Sequence, residues 1–134
     1  HIARIAFANP DKLQQLNAAV HPAVARDSEA WHAHQQDVPY TLKEAALLYE
    51  SGGVDALDRV IVVTAPESIR LQRVMQRDQV SAEAVQARMD KQWPQKQKAD
   101  KSDFLIINDG QHSLIEQVLT IHQNLRQQAD ETGI

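Results

Sequence analysis

Tyr40-Thr41-Leu42-Lys43-Glu44-Ala45-Ala46-Leu47-Leu48-Tyr49-Glu50-Ser51-Gly52 is the stretch whose reading decides the fold. It starts as a buried strand, sets Glu44 at that strand's carboxyl end, and turns through Gly52-Gly53. A second strand, Arg59-Val60-Ile61-Val62-Val63-Thr64, follows almost at once and closes at Ala65-Pro66. Short apolar runs joined by crossovers pack as neighbours in a parallel sheet, and such sheets hold ligands beyond the carboxyl ends of their strands. Glu44 and Glu50 are therefore candidate site residues at that edge.

Working upstream, Asn9-Pro10 reads as a helix start, with Asn as the cap and Pro in the first turn. Leu13, Leu16 and Val20 continue it at helical spacing, and His21-Pro22 should interrupt it, because Pro lacks an amide donor. A second helix is expected from residue 22 to about 36, with Val24 and Trp31 on its inner face and Val38-Pro39 after it. Downstream, Pro66 opens a helix with an apolar stripe of Leu71, Val74 and Met75. Asp78-Gln79-Val80 breaks that helix, and Ser81 caps another carrying Val85, Met89 and Trp93. A Lys-rich segment follows Trp93-Pro94, and Asp103-Phe104-Leu105-Ile106-Ile107 reads as a third strand, stopped by the turn Asn108-Asp109-Gly110. Ser113 and Glu116 make a capping box for a last amphipathic helix through Leu125, with a polar, frayed end from Gln127. Strands alternating with helices give an α/β fold, three parallel core strands with flanking helices. Three strands are few for a covered sheet, so the chain reads as part of a domain. The expected organisation is a helical subdomain over 1–37, core strands over 38–69, a basic segment over 70–101, and a final strand and helix over 102–134.

Composition narrows the function classes. A chain of 134 residues suits one domain, and no apolar run approaches the roughly 20 residues that span a bilayer. No nucleic-acid or membrane partner is expected. There is no Cys, which removes disulfides and thiolate metal sites and fits a cytoplasmic protein. The chain does not open on Met, which reads as a processed or truncated start. Its net charge of −4 hides an asymmetry: residues 70–101 carry eight basic against four acidic side chains, so that block is +4 and the remainder −8. A basic segment in an acidic chain points to a local anionic ligand.

Arg70, Arg73 and Arg77 fall at i, i+3 and i+7, so all three project from one helix face. Guanidinium forks match phosphate oxygens, although the commoner occupant of such spacing is an ordinary solvated face. Glu44 could hold a metal-bound water or be a plain sheet-edge acid, and residues 108–110 could approach a planar base or be only a turn. His21 before Pro22 could donate to a ligand, but a helix-end His satisfied by backbone is commoner. His32 and His34 stand two apart on a helix and diverge, so no protein metal site is expected. The glycines at 52, 53, 110 and 133 belong to no G-x-x-x-x-G-K-[ST] loop.

The runs His21-Pro22, Ala46-Leu47-Leu48-Tyr49-Glu50-Ser51-Gly52, Asp58-Arg59-Val60-Ile61-Val62-Val63, Arg73-Val74-Met75-Gln76-Arg77-Asp78 and Ala99-Asp100 with Asp103-Phe104-Leu105-Ile106-Ile107-Asn108 together closely resemble the dephospho-coenzyme A kinase family. The resemblance covers essentially the whole chain, in order. It implies a P-loop kinase fold akin to the nucleoside monophosphate kinases, with a helical acceptor-binding domain and a mobile lid. It implies ATP and Mg2+ as cofactors and phosphorylation of the ribose 3′-hydroxyl of dephospho-coenzyme A, the last step of coenzyme A synthesis. Carried over by position, Arg73 and Arg77 are lid arginines at the transferred phosphate and Glu44 orients Mg2+-bound water. His21, Arg4 and Glu50 stand on the acceptor side, and Asn108, Asp109 and Gly110 on the adenine side. Two positions depart from the family: Glu44 where Asp is frequent, and Ala46 where Pro is usual. The family's first strand and P-loop have no counterpart in these residues, so the expectation is an N-terminally truncated kinase without turnover of its own. The alternative is a non-catalytic binding or assembly module for coenzyme A or a nucleotide. A sheet edge exposed by the missing first strand would favour self-association.

Overall fold

In the computed structural model residues 9–132 are described, and the chain divides into two compact units, 1–41 and 42–134. Among its described residues the first unit has one helix, α1 (Pro10–Ala33). Its start is as expected: the Asn9 side chain accepts from the amides of Asp11 at 3.0 Å and Lys12 at 3.2 Å, which otherwise have no helical partner. The expected break at Pro22 does not occur, and the helix runs through that residue for 24 residues. A single Pro removes one hydrogen bond of the ladder, and the remaining turns on both sides carry the helix past it. Val24 and Trp31 are half exposed, at 54% and 52%, and not on a covered inner face. After α1, Asp37 takes a positive φ of 59°, and His32 Nδ1 meets the Thr41 hydroxyl at 2.8 Å.

In the second unit the elements are a 3-10 turn (Gly53–Ala56), β1 (Ile61–Thr64), α2 (Glu67–Asp78), α3 (Ala82–Met89), α4 (Gln95–Ala99), β2 (Phe104–Ile107) and α5 (Leu114–Thr132). The two strands pair in parallel, with Ile61 opposite Phe104 and Thr64 opposite Ile107. The mixed α/β class, with a parallel sheet and flanking helices, is thus as read from the sequence. The strand count is not: residues 40–45 form no strand, and β1 and β2 make up the whole sheet among the described residues. An apolar run becomes a strand only beside a neighbour that completes its ladder, and among the described residues this stretch has none. Glu44 is accordingly not at a strand end. The carboxyl edge of the sheet lies instead at Thr64 and Ile107.

Side chains anchor the sheet at both ends. At the amino end, Asp103 Oδ2 accepts from the Val60 amide at 2.8 Å. At the carboxyl end the Gln117 amide of α5 acts as a third peptide edge, accepting from Ile107 N at 2.8 Å and donating to Ile107 O at 3.0 Å. The small core comprises Val60, Val85 and Ile121, with Val85 only 2% exposed. The α5 helix does not fray at Gln127. It continues to Thr132, held by an Arg59-to-Gln128 bond of 3.0 Å and a Gln127-to-Glu131 bond of 3.0 Å. Among the described residues no helix is long and apolar enough to cross a membrane.

Candidate anion site at the carboxyl edge of the sheet

Helix α2 begins just past β1, with Pro66 supplying the extended residue before it. This brings Arg70, one turn in, back onto the strand end, where its Nε donates to the Ala65 carbonyl at 3.2 Å. Gln95 Nε2 reaches the same oxygen at 3.2 Å. One turn further, Arg73 Nη1 donates to the Asn108 carbonyl at 3.0 Å and so ties α2 to the end of β2. Gln79, with φ of 53°, ends α2 in the left-handed region, and Ser81 caps α3 by accepting from Ala84 N at 3.3 Å. The tight turn between them folds α3 back against α2.

Between these helices lies a cleft of about 340 Å³ lined by Arg70, Arg73, Arg77 and Arg88 together with Val74, Val85, Met89 and Gln92. The i, i+3, i+7 spacing does set its three arginines along one wall. Arg88, on the opposite helix, is a fourth that spacing rules could not assign, since they relate residues within one element only. Like charges so close repel, and local acceptors offset this. Arg70 faces Glu67 at 4.0 Å, and Asp78 takes Arg77 through two contacts of 2.7 and 3.3 Å and Arg88 through one of 2.8 Å. The bond from Arg77, then that from Arg88, holds the Asp78 carboxyl below the usual carboxylate range, and the same contact raises Arg77.

The turn Asn108-Asp109-Gly110 sits at the same sheet edge, with Gly110 at φ of 83° where a side chain would be strained. Asp109 Oδ1 accepts from the amides of Gln111 at 2.9 Å and His112 at 3.0 Å, and Oδ2 meets His112 Nδ1 at 2.8 Å. The His112 amide, then that of Gln111, pulls the Asp109 carboxyl down to about 2. Asp109 therefore serves as an internal brace of the turn.

Glu50 has a different setting from the cleft. Residues 46–52 make one helical turn, with Ser51 N on Leu47 O at 2.9 Å, closed by Gly52 at φ of 72°. That turn part-buries Glu50, whose Oε1 accepts from Lys98 Nζ at 2.6 Å and from Trp93 N at 2.8 Å. Burial by itself would raise Glu50, but the Lys98 bond, the Trp93 amide and the Lys98 charge outweigh it and hold the carboxyl low. Tyr49 stacks on Trp93 with centroids 5.8 Å apart. The Tyr49 hydroxyl and Glu50 Oε2 are buried without a hydrogen-bond partner, and burial, then the charge of Asp103, raises the phenol.

Of the residues singled out in the sequence, the fold brings Arg73, Arg77 and Asn108 together. Glu44 is exposed and outside the cleft lining, and Glu50 is committed to Lys98 and Trp93. His21 is an exposed residue of α1 in the first unit, and Arg4 lies outside the described residues. Among the described residues no three His, Cys, Asp or Glu gather as a metal cluster.

The family model for dephospho-CoA kinase matches residues 1–128. A dephospho-CoA kinase of Bacteroides fragilis is 33% identical over 120 residues, covering 90% of this chain and 58% of that protein. One from Chlorobaculum tepidum is 38% identical over 127 residues, covering 92% and 61%. The crystal structure of TT1252 from Thermus thermophilus superposes with a TM-score of 0.81 at 32% identity, over 91% of this chain and 63% of that one. The chain thus spans about three fifths of the length of the relatives it matches.

Proposed function

We propose, from the premise that this chain belongs to the dephospho-CoA kinase family, that it serves an ATP-dependent kinase acting on the ribose 3′-hydroxyl of dephospho-coenzyme A. The observation that carries this reading is the cleft of four arginines beside the carboxyl edge of a parallel sheet, where α/β proteins bind ligands. Phosphoryl transfer asks the protein mainly for positioning and for positive charge around the moving group. Arg77 and Arg73 are assigned that charge, each presenting a planar fork suited to phosphate oxygens. Asn108, Asp109 and Gly110 are assigned to the base of the nucleotide, on a turn that is already braced by the Asp109 carboxylate.

His21, Arg4 and Glu50 belong to the acceptor side in this reading. For Glu50 the support is indirect, since its carboxylate shapes the turn 46–52 through Lys98 and Trp93. Mg2+ in kinase sites is held mostly by substrate phosphates and water, with one or two carboxylates. An exposed, unclustered carboxylate such as Glu44 fits that mode, and we assign it to a water of the ion. When bound, the ion neutralises phosphate charge. Residues 1–134 contain no G-x-x-x-x-G-K-[ST] motif, so these residues supply lid and base-side contacts and not that phosphate cradle. The second reading is a coenzyme A- or nucleotide-binding module without turnover.

The test is calorimetric titration of the chain with ATP and with dephospho-coenzyme A, alongside a phosphorylation assay. The reading expects salt-sensitive ATP binding that weakens roughly tenfold or more in Arg77→Ala, the usual scale for a charged hydrogen bond. Binding without product formation supports the module; failure of both ligands to bind refutes both readings.

A further inference from the structure

Two of the four arginines around the cleft share one carboxylate of the chain itself. Arg77 approaches Asp78 side-on, Nε to Oδ1 at 2.7 Å and Nη2 to Oδ2 at 3.3 Å, while Arg88 Nη1 takes Oδ2 at 2.8 Å from the other helix. That is the arrangement in which a pair of guanidinium groups grips two oxygens of a phosphoryl group. Neighbours i and i+1 on a regular helix do not face each other, so the contact is available only because Asp78 is the last residue of α2, followed by Gln79 in the left-handed region. An acid at that end also opposes the helix dipole, which favours cations there. Local helix stability therefore gives no reason for Asp78, and its partners across the cleft do. Around the cleft the four guanidinium groups face two carboxylates, Glu67 and Asp78, while Arg73 gives one bond to the neutral Asn108 carbonyl. Two positive charges among these groups remain unmatched.

We propose that Asp78 is a resident stand-in anion: it occupies the forks of Arg77 and Arg88 in the ligand-free lid, and a polyphosphate must displace it to bind. Asp78 is then a positioning residue. It keeps two arginines from different helices aimed at one point while the site is empty, and it sets the affinity by competing for them. Arg88 becomes a third phosphate contact beside Arg73 and Arg77, reached only when Asp78 swings away. The exchange is open to solvent, since the Asp78 side chain is 25% exposed and those of Arg77 and Arg88 are 73% and 56% exposed. This inference rests on the reading of the cleft as a polyphosphate site.

The experiment is titration of the 134-residue chain with inorganic tripolyphosphate, followed by calorimetry. Asp78→Asn should bind about fivefold tighter, the order produced by removing one exposed unit charge beside the anion in water. Glu67→Gln removes the same charge from beside Arg70 without freeing the Arg77 and Arg88 forks, and should tighten binding less than Asp78→Asn does. In an Arg77→Gln/Arg88→Gln background the gain from Asp78→Asn should shrink, because no fork is left to release and only the lost charge remains. A gain of equal size in that background, or weaker binding by Asp78→Asn alone, overturns the proposal. Asp78→Ser serves as the second variant, with circular dichroism confirming that each folds. If tripolyphosphate binding is indifferent to Arg73→Gln and Arg77→Gln, it is the polyphosphate reading of the cleft that fails. If those variants weaken binding while Asp78→Asn does not tighten it, only the stand-in role fails.

Discussion

Replacing Lys98 by Met tests whether the buried pair with Glu50 holds the turn 46–52 to the segment that leads back to β2. The two side chains are only 14% and 16% exposed, and Nζ lies 2.6 Å from Oε1. In Lys98→Met the carboxylate keeps the Trp93 amide and loses its counter-ion, while Oε2 already has no hydrogen-bond partner. Removing one member of a buried ion pair costs on the order of 3–5 kcal/mol, and the residual exposure here places the loss near 3 kcal/mol. That is a large share of the roughly 5–15 kcal/mol that keeps a domain folded. With a urea slope of about 2 kcal/mol per molar, the midpoint should fall by about 1.5 M, read from Trp93 fluorescence in a Trp31→Phe background. The pH dependence should weaken as well. In the native protein Glu50 is held low, so its contribution is present above the unfolded carboxylate range and lost as pH falls through the lowered value. Without Lys98 the carboxyl loses the bond and the charge that lower it, so the variant loses less stability on acidification and its deficit should shrink as pH falls. The double variant Glu50→Leu/Lys98→Met should recover most of the loss, since no buried charge remains. A midpoint shift under about 0.3 M for Lys98→Met, or a double variant as unstable as the sum of the single losses, would refute this reasoning.

Asp109, depressed to about 2, adds stability that is complete above its ordinary 3.8 and is lost as pH falls through about 2. Asp109→Asn should therefore melt lower than the native chain at neutral pH, with the gap closing between pH 4 and 2 in thermal scans. Gln117→Glu keeps an acceptor for the Ile107 amide but sets an oxygen against the Ile107 carbonyl, which Gln117 Nε2 now meets at 3.0 Å. It should cost about 1–3 kcal/mol and speed hydrogen exchange at β2, and unchanged exchange would remove Gln117 from the sheet. Pro22→Ala restores a donor inside α1 and should raise helical circular dichroism and stabilise that helix by up to about 3 kcal/mol; a loss of helix would show that Pro22 is required there. Tyr49→Phe deletes a buried hydroxyl without a partner and retains the ring on Trp93, so urea unfolding should show it neutral or stabilised by about 1 kcal/mol.

Family membership was legible in the order and spacing of short runs, from His21-Pro22 through Arg77-Asp78 to the strand ending at Asn108. So were the features that need only a few neighbouring residues: the Asn9 cap, the Ser81 and Ser113 caps, the strands at 61–64 and 104–107, and three arginines on one face of α2. Each closes within a turn or repeats with a fixed period, so residue type and spacing determine it. What tertiary structure alone decided depends on partners far along the chain. Residues 40–45 are not a strand because no neighbour among the described residues completes their ladder, and the polar end of α5 stays helical partly because Gln128 meets Arg59, 69 residues away. Glu50, read as a ligand residue, pairs with Lys98 and Trp93 across more than 40 positions. The anion site divides in the same way: three of its arginines were set by helical period, whereas Arg88 and the shared Asp78 carboxylate join it only because Gln79 turns α3 back onto α2. Periodicity speaks for one element at a time, and a fork closed by two helices needs the packing between them.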